Sequence, residues 1–221
     1  MPAPPRSGVN NPAALIAAGH RQLLGSEIPP AATERLERYL ALLGKWNRKI
    51  NLVARDSIEH WIDFHFCDSM IMAIAARKAE EMADIGSGAG FPSLVVKCLL
   101  PDLPLTMIEP RAKRAVFLRQ TASHLGLAGV RIEERRAEEV GKKFSIVTSR
   151  ALAEVKVFLH LAAPLLKGGG QAATLKGNDL DEELALLAAD PISENFSPAE
   201  ITPYTLPVSG RRRNLLIFKK K

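Results

Sequence analysis

From Met82 onward the chain alternates short apolar runs, four to seven residues long, with helical stretches of ten to sixteen, and few folds tolerate that rhythm. The runs that read as strands fall at 81–85, 105–109, 130–135, 144–149 and 170–176; the helical stretches fall at 92–100, 112–125, 154–166 and 179–189. Strands separated by helices cannot pair through tight turns, so they need crossover connections, and these build a parallel sheet covered on both faces. The predicted class is a doubly wound α/β domain. Two further runs, 200–206 and 215–218, flank Ser209-Gly210 like a terminal hairpin, so the last strand is expected to enter the sheet antiparallel.

Ahead of the α/β region, residues 13–78 read as a helical cap. Leu36, Tyr39, Leu40, Leu43, Trp46 and Ile50 form an apolar stripe at helical spacing behind Pro29-Pro30, and Asp56 with Glu59 reads as a helix start. The proline-rich residues 1–12 read as a disordered leader without the apolar stretch of an export signal. The expected organisation is therefore a leader at 1–12, a cap at 13–78 and an α/β domain at 79–221.

Composition narrows the class further. A chain of 221 residues, 47% hydrophobic, can bury one sizeable core without disulfide or metal staples. Cys67 and Cys98 stand far apart and form no metal-binding spacing, so no metal is expected and a reducing, cytoplasmic setting fits. No apolar run reaches the ~18 residues of a membrane span. The net charge of +6 resides in residues 211–221, which carry six basic and no acidic side chains. A second basic stretch, Arg111 to Arg136, holds seven basic against two acidic residues, and clustered charge of this kind can follow phosphates or simply solvate a surface.

The chemistry concentrates where the first strand meets its helix, in Asp84-Ile85-Gly86-Ser87-Gly88-Ala89-Gly90-Phe91-Pro92. Glycines there let the backbone turn sharply and let a ligand approach the chain at the carboxyl edge of the sheet. The spacing is G-x-G-x-G, not the G-x-G-x-x-G of dinucleotide sites, and Asp84 stands two residues before the first glycine. An anion beside the loop disfavours pyrophosphate and favours a cationic group, such as the ammonium of S-adenosylmethionine. Glu109 ends the second strand about twenty residues beyond the loop, where a carboxylate can accept both hydroxyls of a ribose.

Joined to Trp46-Asn47-Arg48-Lys49-Ile50-Asn51-Leu52, His65-Phe66-Cys67-Asp68-Ser69, Lys113-Arg114-Ala115-Val116-Phe117-Leu118-Arg119, Ser149-Arg150-Ala151 and Leu175-Lys176-Gly177, this loop resembles the RsmG family, also called glucose-inhibited division protein B. The resemblance covers roughly residues 36–220. It implies a class I S-adenosylmethionine-dependent methyltransferase (Rossmann-like, with a mostly parallel sheet and an antiparallel last strand) carrying a helical amino-terminal extension. It further implies methylation of guanine N7 in bacterial 16S ribosomal RNA, with that RNA or the small ribosomal subunit as partner. Carried onto this sequence, the cofactor contacts fall on Gly86, Phe91, Glu109, Pro110, Arg111, Ala137, Glu138 and Arg150, and the reading of the loop adds Asp84 and Gly88. Ser93 departs from the family, which usually has glycine there, as do Met70 and the Glu109-Pro110 pair.

Transfer to N7 uses a lone pair that bears no proton, so no catalytic base is expected; Arg150, Lys176 and Asp68 are the substrate-positioning candidates. Arg48-Lys49, the stretch from Arg111 and the basic carboxyl end would meet RNA phosphates, and Trp46 and Trp61 are weighed as stacking platforms against core packing. A monomer is expected. The alternatives are a methyltransferase-fold RNA-binding protein without catalysis and a nicotinamide-dependent oxidoreductase.

Overall fold

The computed structural model describes residues 11–150, 154–177 and 180–221. The expectation for a leader falls mostly outside them; its last two positions, Asn11 and Pro12, already belong to the start of a helix. In α1 (Pro12–Leu24), the Asn11 side chain accepts from the Ala13 N–H, Pro12 fills a position that needs no donor, and Gly25 at φ 70° closes the other end. The predicted stripe forms α2 (Pro30–Ile50), which buries Leu36, Tyr39, Leu40 and Leu43 and stops at Asn51, in the left-handed region at φ 47°. The next helix, α3 (Ile58–Trp61), starts one residue later than expected. Its cap is Ser57, whose hydroxyl accepts the His60 N–H, and Asp56 instead accepts the N–H of Ser57. A π-helical turn (Ile62–Cys67) follows, then α4 (Asp68–Met70) and α5 (Met72–Ala76).

The α/β part runs β1 (Met82–Ile85), α6 (Ser93–Leu99), β2 (Leu105–Ile108), α7 (Ala112–His124), β3 (Val130–Glu133), β4 (Phe144–Arg150), α8 (Val155–Ala162), β5 (Leu166–Lys176), α9 (Asp181–Ala188), β6 (Glu200–Thr205) and β7 (Arg212–Lys219). These strands form one 7-stranded sheet in the order β3-β2-β1-β4-β5-β7-β6. Strands β1 to β5 are parallel, and β7 is antiparallel to both of its neighbours. The predicted hairpin therefore exists, with the later strand inserted between β5 and β6. The helix expected to reach 166 ends at Ala162, where a tighter 3₁₀ turn (Ala163–Leu165) with Pro164 at its centre takes over, and β5 starts four residues before the predicted 170.

Alternate strand residues point to opposite layers, as a pleated sheet requires. Met82, Leu105, Met107, Ile146, Ala173 and Leu215 pack with α1, α2, the π turn, α6 and α7. Ala83, Ile85, Ile108, Val147, Ala172 and Leu216 pack with α8 and α9. Cap and sheet thus share the first of these clusters, in which fully buried Leu36, Leu43, Ile62 and Phe66 each contribute about 1.5–3 kcal/mol of burial. Among the described residues, no helix is long and apolar enough to cross a membrane.

Candidate active site

The glycine loop leaves the carboxyl end of β1 in the geometry its sequence demands. Gly86, Gly88 and Gly90 have φ of 68°, 55° and 92°, which side chains rarely adopt. Two of these glycines serve different ends. A Cβ at Gly90 would lie 2.5 Å from Leu94 Cδ1 and 2.9 Å from the Tyr39 hydroxyl, so that position is set by packing. A Cβ at Gly88 would meet nothing nearer than 3.6 Å, because this backbone faces an open cleft. The loop is held from outside the sheet as well: the buried Tyr39 hydroxyl of α2 donates to the Ala89 carbonyl.

That cleft has a volume of about 420 Å³. Glu109 lies at its floor, only 3% exposed, with Oε2 accepting the Gly88 N–H and Oε1 accepting the Arg111 N–H, each at 2.9 Å. Each carboxylate oxygen keeps a lone pair, and an anion with two spare acceptor sites beside bare glycine backbone suits the vicinal diol of a ribose. Phe91 supplies an apolar wall, backed by Tyr39, Phe66 and His65 rings at 5.1–5.3 Å. Leu52 and Val53 form the facing wall, and Asn47 fixes them there by accepting the Val53 N–H. Gly86, Gly88, Phe91, Glu109, Pro110, Arg111 and Arg150 from the sequence-derived set all line this cleft. Leu52, Ser87, His65 and Arg114, which stand in the quoted motifs but were given no cofactor role, line it too, as does Val53, which lies in none of them.

Three members of that set do not line it. Ala137 is buried and Glu138 exposed on the turn after β3, outside the cleft lining. Asp84 is fully buried under the loop, where Oδ2 accepts the Ser93 hydroxyl at 2.7 Å and Oδ1 has no partner among the described residues. Burial pushes its carboxyl up to about 7, against the opposing pull of the serine hydrogen bonds. The departure at Ser93 is thus coupled directly to this carboxylate.

At the end of β4, Arg150 closes the other side of the cleft. Its guanidinium lies 5.1 Å from the Phe91 ring centroid, donates to the Phe64 carbonyl, and lies 2.6 Å from His65 Nδ1 and 3.2 Å from Asp68 Oδ2. Burial first, and the Arg150 charge second, lower the His65 imidazole to about 3, so the neutral ring accepts from Arg150. Asp68 is 1% exposed and fully engaged: Arg213 Nε and Nη2 reach it at 2.9 and 3.1 Å, and the Tyr204 hydroxyl donates to it at 2.6 Å. It organises two arginines and does not face the cleft. Lys176, the third positioning candidate, pairs with Glu183 at 2.8 Å beside a neighbouring depression.

The basic segments are less free than their charge suggests. Residues 211–221 are no tail: most of them form β7, Arg213 is tied to Asp68, and Lys220 Nζ donates to the Ala163 and Leu166 carbonyls. Within the stretch from Arg111 to Arg136, Arg119 pairs with Glu134, and Arg131 and Arg135 pair with Glu133. Trp61 is buried with its indole N–H on the Ala54 carbonyl, and half-buried Trp46 packs edge-on against Phe117 at the margin of the core. Among the described residues no cluster of His, Cys, Asp or Glu could hold a metal ion.

Known proteins are similar to this chain in sequence and in fold. A family model described as rRNA small subunit methyltransferase G matches residues 32–214. Proteins named ribosomal RNA small subunit methyltransferase G are similar to the chain: that of Streptococcus thermophilus is 38% identical, covering 90% of this chain and 87% of its own length. The Halorhodospira halophila protein is 41% identical over 73% of this chain and 77% of its own. In fold, the chain resembles M. jannaschii TYW2 solved in complex with AdoMet (TM-score 0.55, 15% identity, 70% of this chain and 75% of that one). It also resembles a ribosomal protein L11 methylase from Lactobacillus delbrueckii subsp. bulgaricus (TM-score 0.54, 18% identity, 70% and 78%). With more than half its length matched by the family model and relatives this similar along most of theirs, the chain belongs to the rRNA small subunit methyltransferase G family.

Proposed function

We propose that the protein methylates N7 of a guanosine in 16S ribosomal RNA, taken as RNA or within the small ribosomal subunit, and that it acts as a cytoplasmic monomer with S-adenosylmethionine as donor. The cofactor supplies a methyl group already activated as a sulfonium, and guanine N7 accepts it through a lone pair that carries no proton. Glu109 holds the ribose, the Gly86 and Gly88 backbone lets the ligand approach, and Phe91 covers its apolar part. Pro110 and Arg111 shape the mouth, and Arg150 meets the methionine carboxylate. Ala137 and Glu138 offer the adenine edge a backbone turn just outside the cleft, and Asp84 acts from beneath the loop. In this reading residues 13–78 serve as a cap on a methyltransferase domain at 79–221, within a shared core.

One observation carries the choice of a proton-free acceptor. The titratable groups closest to Arg150 are spent: His65 is neutral with Nδ1 held by Arg150, and Asp68 is bonded to two arginines and a tyrosine. What this constellation offers is alignment and exclusion of water, and good alignment of reactants is worth on the order of 7–11 kcal/mol. The G-x-G-x-G spacing also speaks against a nicotinamide dinucleotide at this loop. The test is incubation with methyl-labelled S-adenosylmethionine and small-subunit RNA or subunits, followed by digestion and mass analysis of nucleosides. Label in 7-methylguanosine is expected; label elsewhere, or none on any RNA form, would overturn the reading.

A further inference from the structure

Arg150 and His65 are a partition, not an end wall. Beyond them, between the π turn and the carboxyl end of β5, lies a second depression of about 360 Å³. Phe64, Gly177 and Arg213 join it to a third, of about 460 Å³, whose outer rim is Arg211 and Arg212. Flat groups line the passage: the His60 ring stacks on Phe64 at 4.2 Å with 15° between planes, and the Arg211 guanidinium lies 4.8 Å from the Phe64 centroid. Charge grows outward. Inside, Arg150 and Arg213 share the single carboxylate of Asp68; outside, Arg211 and Arg212 are exposed. The passage is also pinned open, because buried Asp63 of the π turn accepts the Val208 and Ser209 N–H groups at 2.9 and 3.0 Å and so fixes the β6–β7 turn that presents those arginines.

We infer that this passage is the acceptor-nucleotide subsite: the target base enters the second depression over Phe64 and reaches the cofactor cleft past Arg150, while Arg211 and Arg212 hold the flanking phosphates. This assignment rests on the methyltransferase reading above. Planar side chains are what an extruded base exchanges its stacked neighbours for, and exposed guanidiniums at the mouth match a backbone that must follow it. A bare anion site would need the charge and not the aromatic ladder. A small-molecule acceptor would need the ladder and not the charged rim.

The subsite is tested by equilibrium filter binding of small-subunit RNA at several salt concentrations, on protein saturated with S-adenosylhomocysteine, with calorimetry of S-adenosylhomocysteine as the control. R211Q/R212Q should weaken RNA binding about tenfold or more and reduce the slope of log affinity against log salt by about 1–2. F64L should weaken RNA binding about tenfold with the salt slope unchanged, and F64Y should restore it. Affinity for S-adenosylhomocysteine should stay within about twofold in all three. If F64L loses its thermal transition, the two exposed arginines still decide the matter. RNA affinity and salt slope both unchanged in R211Q/R212Q, with wild-type protein methylating normally, would overturn the subsite and leave the function standing. Wild-type protein that binds S-adenosylhomocysteine but methylates no RNA would instead overturn the function.

Discussion

A buried carboxyl and a half-buried imidazole at the cofactor cleft should give the protein's stability a pH dependence that cancels in the wild type and separates in variants. The Asp84 carboxyl moves from 3.8 up to about 7 on folding, so between those values the folded state holds a proton the unfolded chain lacks. Stability then falls as pH rises through that window. The His65 imidazole moves from 6.5 down to about 3, so between those values the unfolded chain holds the extra proton, and stability rises with pH. One proton of difference changes stability by about 1.4 kcal/mol per pH unit. Between pH 4.5 and 6.5, Asp84→Asn should therefore gain about 2–3 kcal/mol relative to wild type, because asparagine never ionises, while His65→Gln should lose about 2 kcal/mol relative to wild type. Urea unfolding at three pH values in this range, for wild type and both variants, measures these differences directly. Asp84→Asn and wild-type curves running parallel across the range would mean that the buried aspartate is ionised throughout, and the account of its burial would be wrong.

Other perturbations probe the same site from other sides. Asp68→Asn removes the charge from a buried cluster that holds two arginines; losing one partner of a buried pair costs about 3–5 kcal/mol, so the melting temperature should drop by roughly 6–20 °C, and a drop under 2 °C would contradict the cluster's importance. Gly90→Ala places a methyl against Leu94 and Tyr39 in a left-handed backbone, which should cost about 2 kcal/mol or more in urea unfolding. Glu109→Gln should weaken S-adenosylhomocysteine about ten- to a hundredfold in calorimetry, since hydrogen bonds to a charged acceptor are worth about 1.5–3 kcal/mol each. Affinity within twofold of wild type would move the ribose elsewhere.

The sequence was most legible where chemistry and chain position coincide. Glu109 could be placed because it ends a strand beside the glycine loop, and short-range geometry then determines what it can touch. Leu36 to Ile50 could be placed because a helix repeats its own pattern. Legibility failed where the partner is remote. Arg213 looked like part of a charged tail, yet its carboxylate lies 145 positions away, and the place of its strand, one in from the sheet edge, is set by a hairpin folding back between β5 and β6. His65 carried a motif but no visible role, because only the three-dimensional packing sets Arg150 against it. Asp84 was read by its charge, whereas the layer above it removed it from solvent and left the serine at 93 as its hydrogen-bonding neighbour. The start of β5 was missed because a helical apolar pattern continues past Pro164 into the strand.

The hydroxyl that α2 extends to the Ala89 carbonyl has a consequence for anyone wishing to rebuild this enzyme. Grafting ahead of residue 79 a different helical module that refills the shared core would keep the strands and crossovers of the sheet, yet would release the loop that the present module clamps through Tyr39. Chimeras made at that junction should retain their architecture while losing grip on their nucleoside, unless the donor module brings a phenol to the same spot.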